Sequence, residues 1–193
     1  MNTQLSPAKT SKGEKSRKNI ICSTRNILAK RDLVSLTLED VATESHIAKS
    51  SILWHFGSKN GLLLAVVDEI FDDILHKLNN IPFDHAAPQN NLETLVASLA
   101  LEMKKNPEAN ALLIAFIVNK TLDKTIIQKI RKMYQHYRKS IEHQLVNLGF
   151  NINKNMAITL LAIIDGIYLQ WYLEPKEVDF EKELLRAISS LQL

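Results

Sequence analysis

Apolar residues recur at spacings of three, four and seven positions along most of the chain. The first such stripe, Ile20, Ile21, Thr24, Ile27 and Leu28, predicts an amphipathic helix from residue 17 to about 30–32. Further stripes predict helices at about 38–44, 49–56, 59–78, 91–105, 107–119, 126–148, 156–173 and from 180 onward. No alternating strand pattern of useful length occurs. The sequence therefore predicts an all-α fold of about nine helices.

Polar residues and helix breakers predict where these helices begin and end. Thr37 lies three residues before Asp40, which is a variant of the capping box, and Ser58 and Asp179 are suitable N-caps. Pro107 suits the first turn of a helix, and Gly149 suits the position just after one. Residues 79–90 are rich in Asn and Pro and predict a loop.

The segment 156–173 is apolar nearly all round and approaches the length of a membrane span. Thr159, Asp165 and Gln170 interrupt it, which disfavours a span. We expect a helix buried on two sides, with one side on its own core and the other on a second subunit.

The composition is that of a globular protein, with 193 residues, 46% hydrophobic residues and only 5 Gly and 5 Pro. Cys22 is the single cysteine, so neither an internal disulfide nor a cysteine-based zinc cluster can form. No nucleotide-binding glycine loop, HExxH sequence or nucleophile motif occurs, and the histidines are expected at the surface. We expect neither an enzyme nor a bound cofactor or metal. The first 19 residues have no apolar h-region, so we expect a cytoplasmic protein.

Charge is unevenly distributed along the chain. Residues 1–60 contain 10 basic and 5 acidic side chains, whereas residues 61–193 contain 14 and 16. This asymmetry indicates either an anionic partner for the front of the chain or a basic tail on a neutral bundle. With the helix pattern, it predicts a disordered basic arm at 1–15, a helix-turn-helix domain at 16–60 and a helical domain at 61–193.

The helices predicted within 17–56 have the dimensions of a helix-turn-helix, whose second short helix fits the major groove of DNA. Ile47, Ile52 and Phe56 would then pack inward. The outward face would consist of Lys49, Ser50, Ser51, Trp54 and His55.

The residues themselves resemble the TetR family of bacterial repressors over 17–65. The family pattern there reads roughly T-x-x-D-I-A-x-x-A-G-V-S-x-G-T-L-Y-x-H-F-x-S-K-x-x-L. It is matched by Thr37, Asp40, Ala42, His55, Phe56, Ser58, Lys59 and Leu62, with close substitutes at Val41, Ile47, Ser51 and Ile52.

Several positions depart from the family pattern. His46 replaces the turn glycine, Ala48 replaces the usual serine cap, and Leu53 replaces a tyrosine that usually reaches a phosphate. Asp32 stands where glycine follows the first helix. These departures affect the expected DNA contacts and affinity rather than the fold.

The resemblance implies a role for each matching position in a complex with double-stranded DNA. Thr37 and Lys59 would hold phosphates at helix N-termini, and Trp54 would pack on the sugar-phosphate backbone or form a wedge between helices. Base edges or nearby phosphates would be approached by Lys49, Ser50, Ser51 and His55. The basic arm would follow the minor groove or remain a solvated tail.

The resemblance also implies a C-terminal effector pocket and a homodimer. Candidate pocket residues, which could equally be ordinary core, are Met103, Phe116, Met133, Tyr134, Tyr137 and Tyr168. Candidate residues of a four-helix dimer interface are Ile163, Ile167, Trp171, Leu184, Ile188 and Leu191.

Three functional hypotheses follow. The first is a homodimeric repressor that binds a pseudo-palindromic operator and is released by a small-molecule effector. The second is a helical ligand-binding dimer with weakened or lost specific DNA recognition. The third is a DNA-binding module whose pocket is filled by its own side chains.

Overall fold

The computed structural model describes residues 12–81, 91–105, 107–119, 123–147, 149 and 154–190. Within these ranges the regular structure is helical and no strand is present, which confirms the all-α prediction. The helices are α1 (Lys12–Leu28), α2 (Leu38–Ser45), α3 (Lys49–Phe56), α4 (Lys59–Asn79), α5 (Asn91–Lys105), α6 (Pro107–Val118), α7 (Lys124–Asn147), α8 (Lys154–Leu173) and α9 (Phe180–Ser189).

Helix α1 begins earlier than the apolar stripe predicts. Residues 12–15, expected in the disordered arm, form its first turn. Glu14 lies in this turn, where a negative charge interacts favourably with the helix dipole. The remainder of the predicted arm, residues 1–11, lies outside the described residues.

The chain divides into two compact units, residues 1–66 and 67–193. The division lies within α4, after residue 66, whereas the sequence places the domain boundary after residue 60. Helix stripes alone could not place it, because α4 continues without interruption through both positions.

The first unit has an apolar core formed by one face of each of its helices. Helix α1 packs against α2 and α3, and α2 packs against α3. Ile20, Val41 and Ile52 are completely buried there. Asn19 Nδ2 donates a hydrogen bond of 2.9 Å to the carbonyl oxygen of Ser45, so the end of α2 is also fixed to α1 by a polar contact.

The second unit is a helical bundle in which α8 packs against α7, α9 and α6, and α5 packs against α9. Phe116, Phe180 and Leu184 are completely buried. An apolar cavity lined by residues of α4, α5, α7, α8 and α9 has a volume of only about 20 Å³. A void of this size holds about one water molecule, so this part of the bundle is closely packed.

One helix among the described residues, Asn155–Leu173, is long and apolar enough to cross a membrane by length and composition. Its mean hydropathy is 1.5, and 28% of its residues are buried in the protomer. One helix of this kind is weak evidence for a span. The exposed apolar residues also suit contact with another protein chain.

Candidate functional site

Helix α3 presents a continuous exposed face in the first unit. Lys49, Ser50, Ser51 and Trp54 are exposed, whereas Ile52 on the opposite side is completely buried. The helix has only 8 residues, which suits insertion into the major groove of DNA. The structure thus brings four of the five predicted outward residues together on one surface.

Trp54 is the most exposed large apolar side chain of this face, at 80% of its full accessible area. Its ring meets the edge of the His55 ring at a centroid distance of 4.7 Å. Such exposure contradicts the predicted alternative of a wedge between helices. His55, the fifth predicted residue, is half-buried and lies beside Phe56, so it is less accessible than its neighbours.

The turn that leads into α3 has the strained geometry expected from its sequence. His46 adopts a left-handed conformation with φ of 55° and ψ of 34°, and it is the only non-glycine residue with positive φ in the described parts of the chain. This conformation costs an L-residue other than glycine about 1–2 kcal/mol. Ala48, the N-cap of α3, makes no side-chain capping bond. Helix α3 therefore begins without two of the usual stabilising features.

Thr37 forms the predicted capping box at the start of α2. Its hydroxyl accepts a hydrogen bond from the Asp40 amide at 3.1 Å and donates one of 2.6 Å to Asp40 Oδ2. Asp40 Oδ2 also accepts from the Thr37 amide at 2.9 Å. The Thr37 bonds hold the pKa of the Asp40 carboxyl below its usual value. Because the hydroxyl proton of Thr37 is already donated, a phosphate contact through this group requires the bond to Asp40 to break.

Lys49 lies at the start of α3 and forms an ion pair with Glu39 of α2. The bond from Lys49 lowers the pKa of the Glu39 carboxyl. Both side chains are largely exposed, so this pair contributes little to stability. Glu39 therefore competes with any DNA phosphate or base for the charge of Lys49.

Lys59 begins α4, and its Nζ donates to the carbonyl oxygen of Val34 at 3.3 Å. Ser58 Oγ accepts a hydrogen bond of 3.0 Å from the Gly61 amide, as the predicted N-cap should. A Cβ atom at Gly61 would lie 1.9 Å from the carbonyl oxygen of Phe56. Glycine at this position thus allows α4 to start directly against the end of α3, which positions Lys59 beside the recognition helix.

The predicted effector-pocket residues fall into different environments in the second unit. Phe116, Met133 and Tyr168 are at most 1% exposed, and Tyr168 donates a hydrogen bond to the Pro107 carbonyl. Tyr168 belongs to an aromatic group with Trp171 and Phe180. Met103 is half-buried on α5. None of the six predicted residues lines the small apolar cavity described above.

Tyr134 and Tyr137, in contrast, lie together with an acidic residue. Their ring centroids are 6.1 Å apart, and Tyr134 Oη lies 3.2 Å from Asp165 Oδ2 of α8. Burial raises the pKa of the Asp165 carboxyl to about 6, although the bond from Tyr134 acts in the opposite direction. Burial, assisted by the negative charge of Asp165, raises the pKa of Tyr134, so this phenol remains a proton donor at neutral pH. We call Tyr134, Tyr137 and Asp165 the polar cluster.

Asp165 was not among the candidate pocket residues predicted from the sequence. The available signal was its position as the one acidic residue in the apolar segment 156–173. That signal was used only against a membrane span. It becomes informative when α7 places two tyrosines beside the carboxylate.

The predicted dimer-interface residues also separate into two groups. Leu184 and Ile188 are only 0% and 3% exposed within the protomer, so they are core residues and are not available to a partner. Ile163, Ile167 and Trp171 are half-buried, and Leu191 lies outside the described residues.

A different set of α8 residues is exposed and lies along one face of the helix, at spacings of three and four. Ile158, Leu169 and Leu173 are 45%, 41% and 72% exposed. The exposed residues Ala162 and Gly166 lie between them along the stripe. We call these five residues the α8 stripe.

Comparison with known proteins assigns the first unit to a family. Residues 20–66 match the family described as bacterial regulatory proteins, tetR family. This range includes α2, α3 and the start of α4, and it confirms the resemblance seen in the sequence. No curated protein matches the chain in sequence.

Solved structures show that the fold extends over nearly the whole chain. A transcriptional regulator from Rhodococcus sp. Rha1 superimposes with a TM-score of 0.76 at 19% identity, covering 91% of this chain and 95% of that one. A TetR transcription regulator from Haloarcula marismortui has a TM-score of 0.72 at 18% identity, covering 92% and 96%. The multidrug binding protein EbrR, complexed with malachite green, has a TM-score of 0.72 at 16% identity, covering 96% and 98%. At these identities the similarity establishes the fold.

Proposed function

The chain carries the N-terminal domain of the tetR family of bacterial regulatory proteins, and we propose that it is a homodimeric transcriptional repressor released from DNA by a small-molecule effector. The exposed face of α3, within the family-matched residues, is the observation that carries the DNA-binding part of this proposal. Because a bacterial repressor binds chromosomal DNA, the proposed function implies a cytoplasmic protein.

DNA binding would combine direct contacts from the exposed face of α3 with the positive charges of lysines at the two ends of this helix. Ser50 and Ser51 can hydrogen-bond base edges or phosphates, and Trp54 offers an apolar surface to sugars and thymine methyl groups. Lys59 would add a phosphate contact. Lys49 would contact a phosphate after its ion pair with Glu39 breaks. Because phosphates provide much of the affinity, binding should weaken steeply with salt.

Selection from random DNA fragments tests this function directly. Enrichment of a pseudo-palindrome supports a repressor, whereas binding that is independent of sequence contradicts it. With the enriched site, Lys59→Ala should lower the slope of log affinity against log salt by about one, because one phosphate contact is lost. Lys132→Ala is the matched control, since this exposed lysine lies on α7 in the other unit. Equal slopes for the two variants would remove Lys59 from the interface.

A second candidate function has specific structural support. The strained His46, the uncapped Ala48, the engaged Thr37 hydroxyl and the Lys49–Glu39 pair all weaken the case for tight DNA recognition. A helical ligand-binding dimer with little sequence specificity is therefore the alternative. The same selection experiment separates the two functions, because only the repressor enriches a defined site.

The α8 stripe is the surface that we propose joins two copies of the chain. It replaces Leu184 and Ile188 of the predicted interface, because an isolated protomer already buries those two residues. Small side chains at Ala162 and Gly166 would allow two α8 helices to approach closely. Dimerisation would also serve recognition, because two α3 helices must lie about 34–36 Å apart to reach successive major grooves.

Replacement of an α8 stripe residue by an acid tests the dimer. Leu169→Glu should convert the dimer to monomer in sedimentation velocity, because a charge would be buried at the interface. Leu101→Glu is the control, since Leu101 on α5 is exposed to a similar degree, at 53%. A wild-type monomer, or a Leu169→Glu dimer of unchanged affinity, would contradict this interface.

The effector would bind in the second unit and alter the spacing of the DNA-binding domains. EbrR, which shares this fold, was solved in complex with malachite green, which supports a small-molecule ligand for this chain. A ligand that enters the apolar cavity of about 20 Å³ would displace side chains. Such repacking would couple the effector to DNA binding, and by linkage DNA would weaken effector binding by the same factor.

Close packing also supports the third hypothesis, a DNA-binding protein with no effector. Under that hypothesis, no compound of a chemically diverse library would stabilise the protein in a thermal shift assay. A stabilising compound that also lowers DNA affinity would support the repressor.

A further inference from the structure

Asp165 is an acidic side chain in a mostly apolar setting. It lies on α8 between the buried Ile164 and the exposed Gly166, and its polar contact within the described residues is the bond from the Tyr134 hydroxyl. No cationic side chain within the described residues forms an ion pair with it. A carboxylate in this position is stabilised far less than one paired with a cation, so the site is electrostatically incomplete.

Tyr137 adds a second unsatisfied group beside this carboxylate. Its side chain is 6% exposed, and its buried hydroxyl has no hydrogen-bond partner within the described structure. Buried hydroxyl groups are normally paired, because an unpaired one loses its bonds to water without replacement. A bound molecule could supply the missing partner.

A further aromatic ring packs against Tyr137. Phe71 of α4 packs on Tyr137 at a centroid distance of 5.2 Å and on His136 at 5.7 Å. The faces of such rings attract cations, most strongly those whose charge is easily desolvated. Asp72 also contributes negative potential, because its charge helps raise the pKa of the Tyr137 phenol.

We propose that the polar cluster and Phe71 form the charge-recognition part of the effector site, and that the effector is an organic cation with an aromatic or alkylated body. This inference rests on the proposed function for its regulatory meaning. The carboxylate of Asp165 pairs with the positive charge, the aromatic rings cover its apolar body, and Tyr137 supplies a hydrogen bond. The negative charges of Asp165 and Asp72 disfavour an anionic effector.

Calorimetric titration of the full-length protein with a cation and its neutral counterpart tests the proposal. Malachite green is the cationic probe, and its reduced leuco form is the neutral one. We expect the wild type to bind the cation at least tenfold more tightly than the leuco form. Asp165→Asn should reduce affinity for the cation at least tenfold and change affinity for the leuco form less than twofold.

Two further variants keep the result interpretable. Asp165→Glu retains the charge and should retain the preference for the cation. Glu181→Gln removes the same charge from an exposed position on α9 and should leave both affinities unchanged. Thermal melting of each variant establishes that it is folded. The proposal is overturned if the cation does not bind, if Asp165→Asn binds it as well as the wild type, or if Glu181→Gln loses as much affinity.

Fluorescence polarisation with the selected DNA site distinguishes failure of this inference from failure of the proposed function. Binding of the cation through Asp165 with no change in DNA affinity would support the site and contradict effector-controlled repression. Release of DNA by neutral compounds, equally in the wild type and Asp165→Asn, would support repression and overturn the cation site.

Discussion

Asp165 should make the stability of the second unit depend on pH in a direction opposite to that of an ordinary paired carboxylate. Its pKa rises from the usual value of 3.8 to about 6 because folding buries it. Between these two values the folded state binds more protons than the unfolded state. Stability is therefore greatest below the unfolded pKa and is lost as the pH rises through 6.

The size of this effect follows from the pKa shift. A shift of about two units corresponds to roughly 3 kcal/mol at neutral pH. The carboxylate is half-buried and partly screened by water, so we expect about 1–3 kcal/mol. Asp165→Asn removes the ionisation while retaining an oxygen that can accept from Tyr134. The variant should match the wild type at pH 4 and exceed its stability by this amount at pH 8.

Urea unfolding measured at several pH values provides the assay. Each unit contains one tryptophan, Trp54 in the first and Trp171 in the second. A Trp54→Phe background therefore makes fluorescence a reporter of the second unit alone. Subtracting the wild-type curve from the Asp165→Asn curve removes the contribution of carboxyls with lowered pKa, such as Glu102 and Asp123, which act in the opposite direction.

Tyr134 and Tyr137 are the other titratable members of the polar cluster, Asp72 acts on Tyr137, and His136 lies against Phe71. His136→Gln is the control, because it removes the ring that packs on Phe71, and it should keep the wild-type pH profile. A stability difference between Asp165→Asn and the wild type that stays constant from pH 4 to pH 8 would refute the reasoning.

The remaining predictions concern the first unit, and chemical denaturation of the full-length protein checks each. His46→Gly should raise the free energy of unfolding by about 0.5–1 kcal/mol, because glycine relieves the left-handed strain but has greater entropy when unfolded; a loss of stability would contradict the assigned strain. Ala48→Ser should add about 1 kcal/mol by capping α3, and an unchanged value would show that the cap does not form. Gly61→Ala should lower stability by about 1–3 kcal/mol because its Cβ would collide with the Phe56 carbonyl. A stabilised Gly61→Ala variant would mean that this close approach is absent.

The sequence predicted the helices of this protein well because they depend on local signals. α3 has the predicted bounds, Lys49–Phe56, and Thr37 and Asp179 cap α2 and α9 as expected. Periodic apolar positions and capping groups act within one or two turns, so they can be read along the chain. The strained turn at His46 was predictable for the same reason, since it follows from the identity of one residue.

Assignments that depend on distant residues could be predicted only in part. Leu184 and Ile188 gave the correct apolar face of α9, but periodicity does not reveal which neighbour covers a face. The fold buries Leu184 and Ile188 within the protomer and leaves Ile158 and Leu169 of α8 exposed. Likewise, the sequence predicted Thr37 both as a helix cap and as a phosphate ligand. Only the structure shows that the Thr37 hydroxyl donates its proton to Asp40 Oδ2.

The all-α fold and the TetR-like helix-turn-helix could be predicted from the sequence, because spacing, caps and a dense local motif contain that information. Tertiary structure alone decided which side chains meet, since Tyr134 and Asp165 are 31 residues apart and belong to different helices. Asp165 therefore changes from an interruption in an apolar helix to the centre of a polar cluster. The physical reason is that burial and hydrogen bonding, which set the chemistry of a carboxylate, arise from the packing of one helix on another.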